Sequence, residues 1–70
     1  MPTIAAHVTG VVTKIEVGRG SHVTEGDTVA VLESMKMEMF VEAECAGTVT
    51  EVLCEVGQSV KEGELLVELA

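Results

Sequence analysis

Gly20-Ser21-His22-Val23-Thr24-Glu25-Gly26 and Gly57-Gln58-Ser59-Val60-Lys61-Glu62-Gly63 share one pattern, a glycine at each end and a valine in the middle. Each reads as a tight turn in which the glycines take positive φ and the single valine is buried. The match extends outward from the turns. When residues 8–33 are laid over 45–70 without a gap, Gly10 falls on Gly47, Val12 on Val49, Thr13 on Thr50 and Leu32 on Leu69. Eight of the 26 pairs are identical, and most of the others keep their character, so the two halves are expected to be related by an approximate two-fold axis.

Both halves read as β structure. Val11 to Val17, Thr28 to Glu33, Met37 to Ala43, Thr48 to Val56 and Glu64 to Leu69 are rich in Val, Thr, Leu and Ile and are bounded by glycines. Apolar positions run Val12, Ile15, Val17 in one half and Val49, Val52, Cys54 in the other, a step of three and then of two. Strict alternation would give two and two, so a bulge is expected near Thr13-Lys14 and near Thr50-Glu51. The closed form of such a chain is all-β: a flattened barrel or sandwich of two four-stranded antiparallel sheets with an internal pseudo-two-fold repeat. Seventy residues allow one core, so residues 1–70 are read as a single domain. Its 47% of hydrophobic residues include one aromatic, Phe40, and the core must therefore be aliphatic.

Composition also excludes functions. A net charge of -8 opposes the counterion release that drives nucleic-acid binding, and no apolar run approaches the length of a membrane span. The start Met1-Pro2-Thr3-Ile4 lacks the basic and apolar blocks of a signal peptide, which implies a cytoplasmic protein. Cys45 and Cys54 are too far apart for a C-x-x-C motif. They overlay Val8 and Val17, so both are expected to be buried and to act as small hydrophobes. His7 and His22 overlay Glu44 and Ser59 and are expected at the surface.

The symmetry fails between the repeats, at Ser34-Met35-Lys36-Met37-Glu38-Met39-Phe40-Val41. With Met35 and Lys36 as a two-residue hairpin turn, Ser34 faces Met37, Glu33 faces Glu38, Leu32 faces Met39, Val31 faces Phe40 and Ala30 faces Val41. Leu32, Ala30, Met39 and Val41 then point inward; Glu33, Glu38, Val31 and Phe40 point outward, and Val31 with Phe40 makes a small apolar patch. Lys36 is left at the tip. Such turns favour Asn and Gly because φ is positive, so Met-Lys is a poor local choice and asks for a reason other than turn propensity.

Glu33-Ser34-Met35-Lys36-Met37-Glu38 closely resembles the attachment motif of biotinyl domains, the biotin carboxyl carrier modules of the biotin/lipoyl attachment family. The resemblance covers nearly the whole chain, with Gly10 and both glycine-bounded turns in place. Because the repeats align without a gap, it is the thumbless type. The resemblance implies covalent biotin on Lys36, with Met35 and Met37 recognised by a biotin protein ligase and Glu33 and Glu38 helping to orient the lysine or merely solubilising the hairpin. It further implies a non-catalytic carrier that moves carboxyl groups between the biotin carboxylase and carboxyltransferase sites of a carboxylase, decarboxylase or transcarboxylase. Two departures bear on which parent enzyme is served: His7-Val8-Thr9-Gly10 stands where many relatives have Pro-Met-Pro-Gly, and Met39-Phe40-Val41 where many have Asn-Glu-Ile. The alternatives are a lipoyl-type acyl carrier, whose sites usually read Asp-Lys-Ala, a dual acceptor of biotin and lipoate, and an unmodified adaptor.

Overall fold

The computed structural model describes residues 2–70 and contains eight strands: β1 (Thr3–Ala5), β2 (Gly10–Ile15), β3 (His22–Val23), β4 (Thr28–Ser34), β5 (Met37–Glu42), β6 (Gly47–Val52), β7 (Ser59–Val60) and β8 (Leu65–Leu69). All pairings are antiparallel, in two four-stranded sheets of order β1-β8-β6-β3 and β5-β4-β2-β7. Under the repeat, β2 becomes β6, β3 becomes β7, β4 becomes β8 and β5 becomes β1, and each sheet order turns into the other. The pseudo-two-fold read from the sequence therefore relates whole sheets.

The halves are interleaved. Strand β3 belongs to the first repeat yet pairs with β6 of the second, and β7 pairs with β2 in return. Gly20 N–H donates to the Val49 carbonyl at 2.8 Å, and Gly57 N–H to the Val12 carbonyl at 2.7 Å. Each glycine-bounded turn is thus fastened to the opposite half. Within the turns, Gly20, Gly26, Gly57 and Gly63 have φ between 90° and 92°, as the repeated glycines require. Side chains close the turns in matched pairs. Ser21 Oγ accepts from Gly18 N–H at 3.0 Å and Gln58 Oε1 from Glu55 N–H at 3.0 Å. Asp27 Oδ2 accepts from Thr24 N–H at 2.9 Å and Glu64 Oε1 from Lys61 N–H at 3.1 Å. Asp27 and Glu64 thereby satisfy backbone donors of their own turns.

Both bulges are present. The β2–β4 register passes from Val12↔Leu32 to Lys14↔Val31, and the β6–β8 register from Val49↔Leu69 to Glu51↔Glu68, leaving Thr13 and Thr50 as the extra residues. Their hydroxyls donate to the carbonyls of Val31 and Glu68, each at 3.2 Å. This is the cause of the three-then-two spacing: one unpaired residue restores Ile15 and Val52 to the inner face.

The core is aliphatic and contains Val12, Val23, Val29, Leu32 and Val41 from the first half and between the repeats, with Val49, Val60, Leu66, Val67 and Leu69 from the second. No polar or charged residue is buried among the described residues.

Three features differ from the sequence reading. Strands β1, β3 and β7 are additional, and β2 and β6 stop at Ile15 and Val52, before the Val17 and Val56 expected to end them. Cys45 is exposed, while Cys54 is buried as expected. Cys45 and its repeat mate Val8 occupy equivalent bends; Val8 packs against the core, whereas the Cys45 side chain lies in solvent. Finally, Val31 lies on the outward face opposite Phe40 but is itself only 5% exposed, so the apolar surface there consists mainly of Phe40.

Candidate functional site

Strands β4 and β5 form the hairpin that breaks the symmetry. Its pairs run Ala30↔Val41, Val31↔Phe40, Leu32↔Met39, Glu33↔Glu38 and Ser34↔Met37, the register expected from a Met35-Lys36 turn. Both turn residues take positive φ, 53° for Met35 and 65° for Lys36. Two consecutive non-glycine residues in the left-handed region cost about 1–2 kcal/mol each. The strands below hold them there, because Ala30, Leu32 and Val41 are sealed in the core and fix the register.

At the tip the polarity of the chain is inverted. Met35 is 93% exposed and Met37 61%, and large apolar side chains that a domain leaves in water at one place mark a surface meant for contact. Lys36 is exposed between them, with Glu33 and Glu38 directly opposite one another one step down. The site thus presents one primary amine on a four-carbon stem, flanked by two thioethers and backed by two carboxylates. Among the described residues, no group of three His, Cys, Asp or Glu is placed to hold a metal. Among the described residues there is no helix, and so none that is long and apolar enough to cross a membrane.

Residues 1–69 match the family model described as biotin-requiring enzyme. The biotin/lipoyl attachment protein of Bacillus subtilis is 40% identical over 68 residues, covering 97% of this chain and 93% of that one. This chain belongs to the biotin/lipoyl attachment family. It is a biotin carrier domain, similar to one segment of much larger proteins. The propionyl-CoA carboxylase alpha chain of Homo sapiens is 47% identical over 60 residues, which are 86% of this chain and only 8% of that one. The crystal structure of Kluyveromyces lactis urea carboxylase superposes with a TM-score of 0.92 at 33% identity, over 99% of this chain and 6% of that one.

One residue of the biotinyl domain gains a role that the sequence did not disclose. A Cβ on Gly10 would stand 2.5 Å from the Glu33 carbonyl oxygen and 3.4 Å from Ser34 Cβ. Gly10 therefore lets β2 approach the base of the lysine hairpin, and a side chain there would displace it. Its repeat mate Gly47 meets Ala70 and Leu69 in the same way, at 3.0 Å and 3.3 Å. The identity of the two glycines across the repeat was the available signal.

The cysteines lie away from the tip and divide by environment. Burial, helped by the nearby Glu64 carboxylate, pushes the Cys54 thiol up from its ordinary range, so it resists ionisation. Since the thiolate is the reactive form, Cys45 of the native domain should react promptly with a thiol reagent and Cys54 only slowly. Peptide mass mapping after brief labelling checks this; equal labelling of both would contradict the burial of Cys54.

Proposed function

We propose that Lys36 is the attachment residue for biotin and that the domain is a non-catalytic carboxyl carrier serving the carboxylase and carboxyltransferase sites of a biotin-dependent enzyme. The observation that carries this reading is the lysine at the tip of a left-handed turn that neither Met35 nor Lys36 favours. A fold that only needed to reverse its chain would do so with Asn-Gly at lower cost. The residues present fit the group. Biotin is joined through an amide, which needs an accessible primary amine and no pocket, and Lys36 supplies one.

Each residue has a task in this scheme. The Lys36 nitrogen, deprotonated, attacks the activated carboxyl carbon of biotinyl adenylate in the active site of a biotin protein ligase; the new C–N bond forms as adenylate leaves. Met35 and Met37 are the contacts by which the ligase selects this lysine, and Glu33 with Glu38 orients the hairpin. When bound, biotin accepts a carboxyl group at one active site and releases it at another. The lysine stem and the rigid hairpin beneath it hold that chemistry clear of the domain. Tethering supplies a high effective concentration at both sites without tight docking at either.

A second reading is favoured by one comparison. The Bacillus subtilis relative covered nearly end to end is named for biotin and lipoyl attachment together, so lipoate is the alternative group at Lys36. The methionines decide between them in our reading. Incubated with biotin, ATP and a biotin protein ligase, the wild-type chain should gain the mass of one biotinyl group. The double variant Met35→Asp, Met37→Ala, with lipoyl-like flanks, should be biotinylated at least tenfold more slowly. Its melting temperature should stay within a few degrees, since both side chains are exposed. A wild-type chain that accepts lipoate from a lipoyl ligase and no biotin would overturn the proposal.

A further inference from the structure

The pseudo-two-fold axis supplies an internal control for the outer faces of the two sheets. On the sheet that bears the lysine hairpin, Phe40 and Lys14 flank Val31, and Val11 lies beside Glu33. Their repeat mates on the other sheet are Thr3, Glu51, Glu68 and Thr48, in the same pairings: Thr3 and Glu51 flank Glu68. The fold accommodates a threonine or a glutamate at every one of these positions. Yet the lysine-bearing sheet has Phe40, 55% exposed, and Val11, 38% exposed, with the buried Val31 between Phe40 and Lys14. Packing does not demand an apolar side chain at these positions, and at these positions one occurs only on the sheet whose hairpin ends in Lys36; the exposed Leu65 of the opposite sheet lies at the start of β8, outside this set.

Around it the charge is of one sign at the free edge. Strand β5 is the edge strand of its sheet, and Glu38, Phe40 and Glu42 project from its outer side in succession. At about 3.3 Å per residue, Phe40 lies roughly 13 Å from Lys36 along the strand. A partner that acts on the bare lysine amine must bring its active site to the tip. A specific interface of about 800 Å² per partner then extends some 16 Å from its centre and covers Phe40. A partner that meets the domain only through a long modified arm need not approach the sheet.

We infer that the outer face of the lysine-bearing sheet, centred on Phe40 with Val11 and edged by Glu38 and Glu42, is a docking face for the biotin ligase. The complementary ligase surface is an apolar recess for the Phe40 ring with basic residues beside it. This rests on the proposed biotinylation of Lys36 and adds the surface that the ligase reads beyond the tip.

The test replaces Phe40 and Val11 by the residues of their own repeat mates, Phe40→Thr and Val11→Thr. A Thr48→Val variant on the opposite sheet is the control. Steady-state biotinylation by a biotin protein ligase is measured with the carrier domain as varied substrate, alongside thermal unfolding. Phe40→Thr should raise KM for the domain at least fivefold with kcat retained and the melting temperature nearly unchanged. Val11→Thr should act in the same direction more weakly, and Thr48→Val should leave KM alone. The wild-type KM should rise with added NaCl, because the acidic edge is exposed and screened. Wild-type-like KM in both Phe40→Thr and Val11→Thr would overturn the docking face while leaving Lys36 biotinylation standing. An unmodified wild-type chain would instead remove the underlying functional reading. Normal biotinylation of Phe40→Thr, followed by slowed carboxylation of the biotinylated variant by a biotin carboxylase, would assign the face to that enzyme and overturn the ligase as its occupant.

Discussion

Lys36→Arg is expected to abolish biotinylation while leaving the fold intact. The guanidinium keeps the positive charge and the stem but stays protonated at any working pH and delocalises its lone pair, so it does not attack an acyl adenylate. Two other lysines are present, and neither has the hairpin context. Lys14 lies on the face of β2 with its Nζ 3.6 Å from Glu16 Oε1, and Lys61 sits in the second glycine-bounded turn, where its N–H is held by Glu64. After exhaustive incubation with ligase, biotin and ATP, intact mass should show no biotinyl group on the variant, against full single modification of the wild type. Arginine adopts the turn no worse than lysine, so the circular dichroism spectrum and melting temperature should coincide with those of the wild type. Persistent labelling at Lys14, Lys61 or the chain's amino terminus would overturn the assignment of Lys36.

Leu32→Ala should be the most destabilising of the substitutions considered. Leu32 is fully buried between Val12 and Met39, directly beneath the hairpin. Removing a buried leucine side chain costs about 2–5 kcal/mol, the upper values applying where the surroundings cannot collapse into the space. A domain of this length has a total stability of roughly 4–10 kcal/mol at about 0.05–0.15 kcal/mol per residue. The variant is therefore expected to lose a large part of its margin and to melt at least 10 °C lower, at about 4–8 °C per kcal/mol for a domain of this size. Leu69, the repeat mate, is equally buried, and Leu69→Ala should fall by a comparable amount, whereas Leu32→Met should lose less than about 1.5 kcal/mol. Urea titration of the three variants checks the ranking. A loss below about 1 kcal/mol for Leu32→Ala would mean that the two sheets close around the gap more readily than close packing allows.

The lysine hairpin was legible because its two strands are long enough to show alternation. Glu33, Glu38 and Phe40 on one side and Ala30, Leu32, Met39 and Val41 on the other leave one register in which the apolar set is buried. The bulges were legible for a related reason: a displaced apolar position repeated in both halves at Thr13 and Thr50. Cys45 shows where the same reasoning ends. Overlay on Val8 transfers the backbone position faithfully, but burial depends on what the rest of the fold places against that position, and here the thiol remains in solvent while the valine meets the core.

By itself the sequence determined the all-β class, the two-fold repeat, the aliphatic core, the position of both bulges and the singular lysine between two methionines. These follow from local pattern and from comparison of the chain with itself. Only the tertiary structure decided that β3 and β7 each pair with the other half, since two residues carry no periodicity and their partners lie far along the chain. It also decided that Gly10 must lack a side chain beneath Glu33, and that Val31 is covered while Phe40 beside it is not. The reason is common to all three: each is a matter of distance between segments remote in sequence, set by how the two sheets close on one another, and no stretch of residues read alone contains that distance.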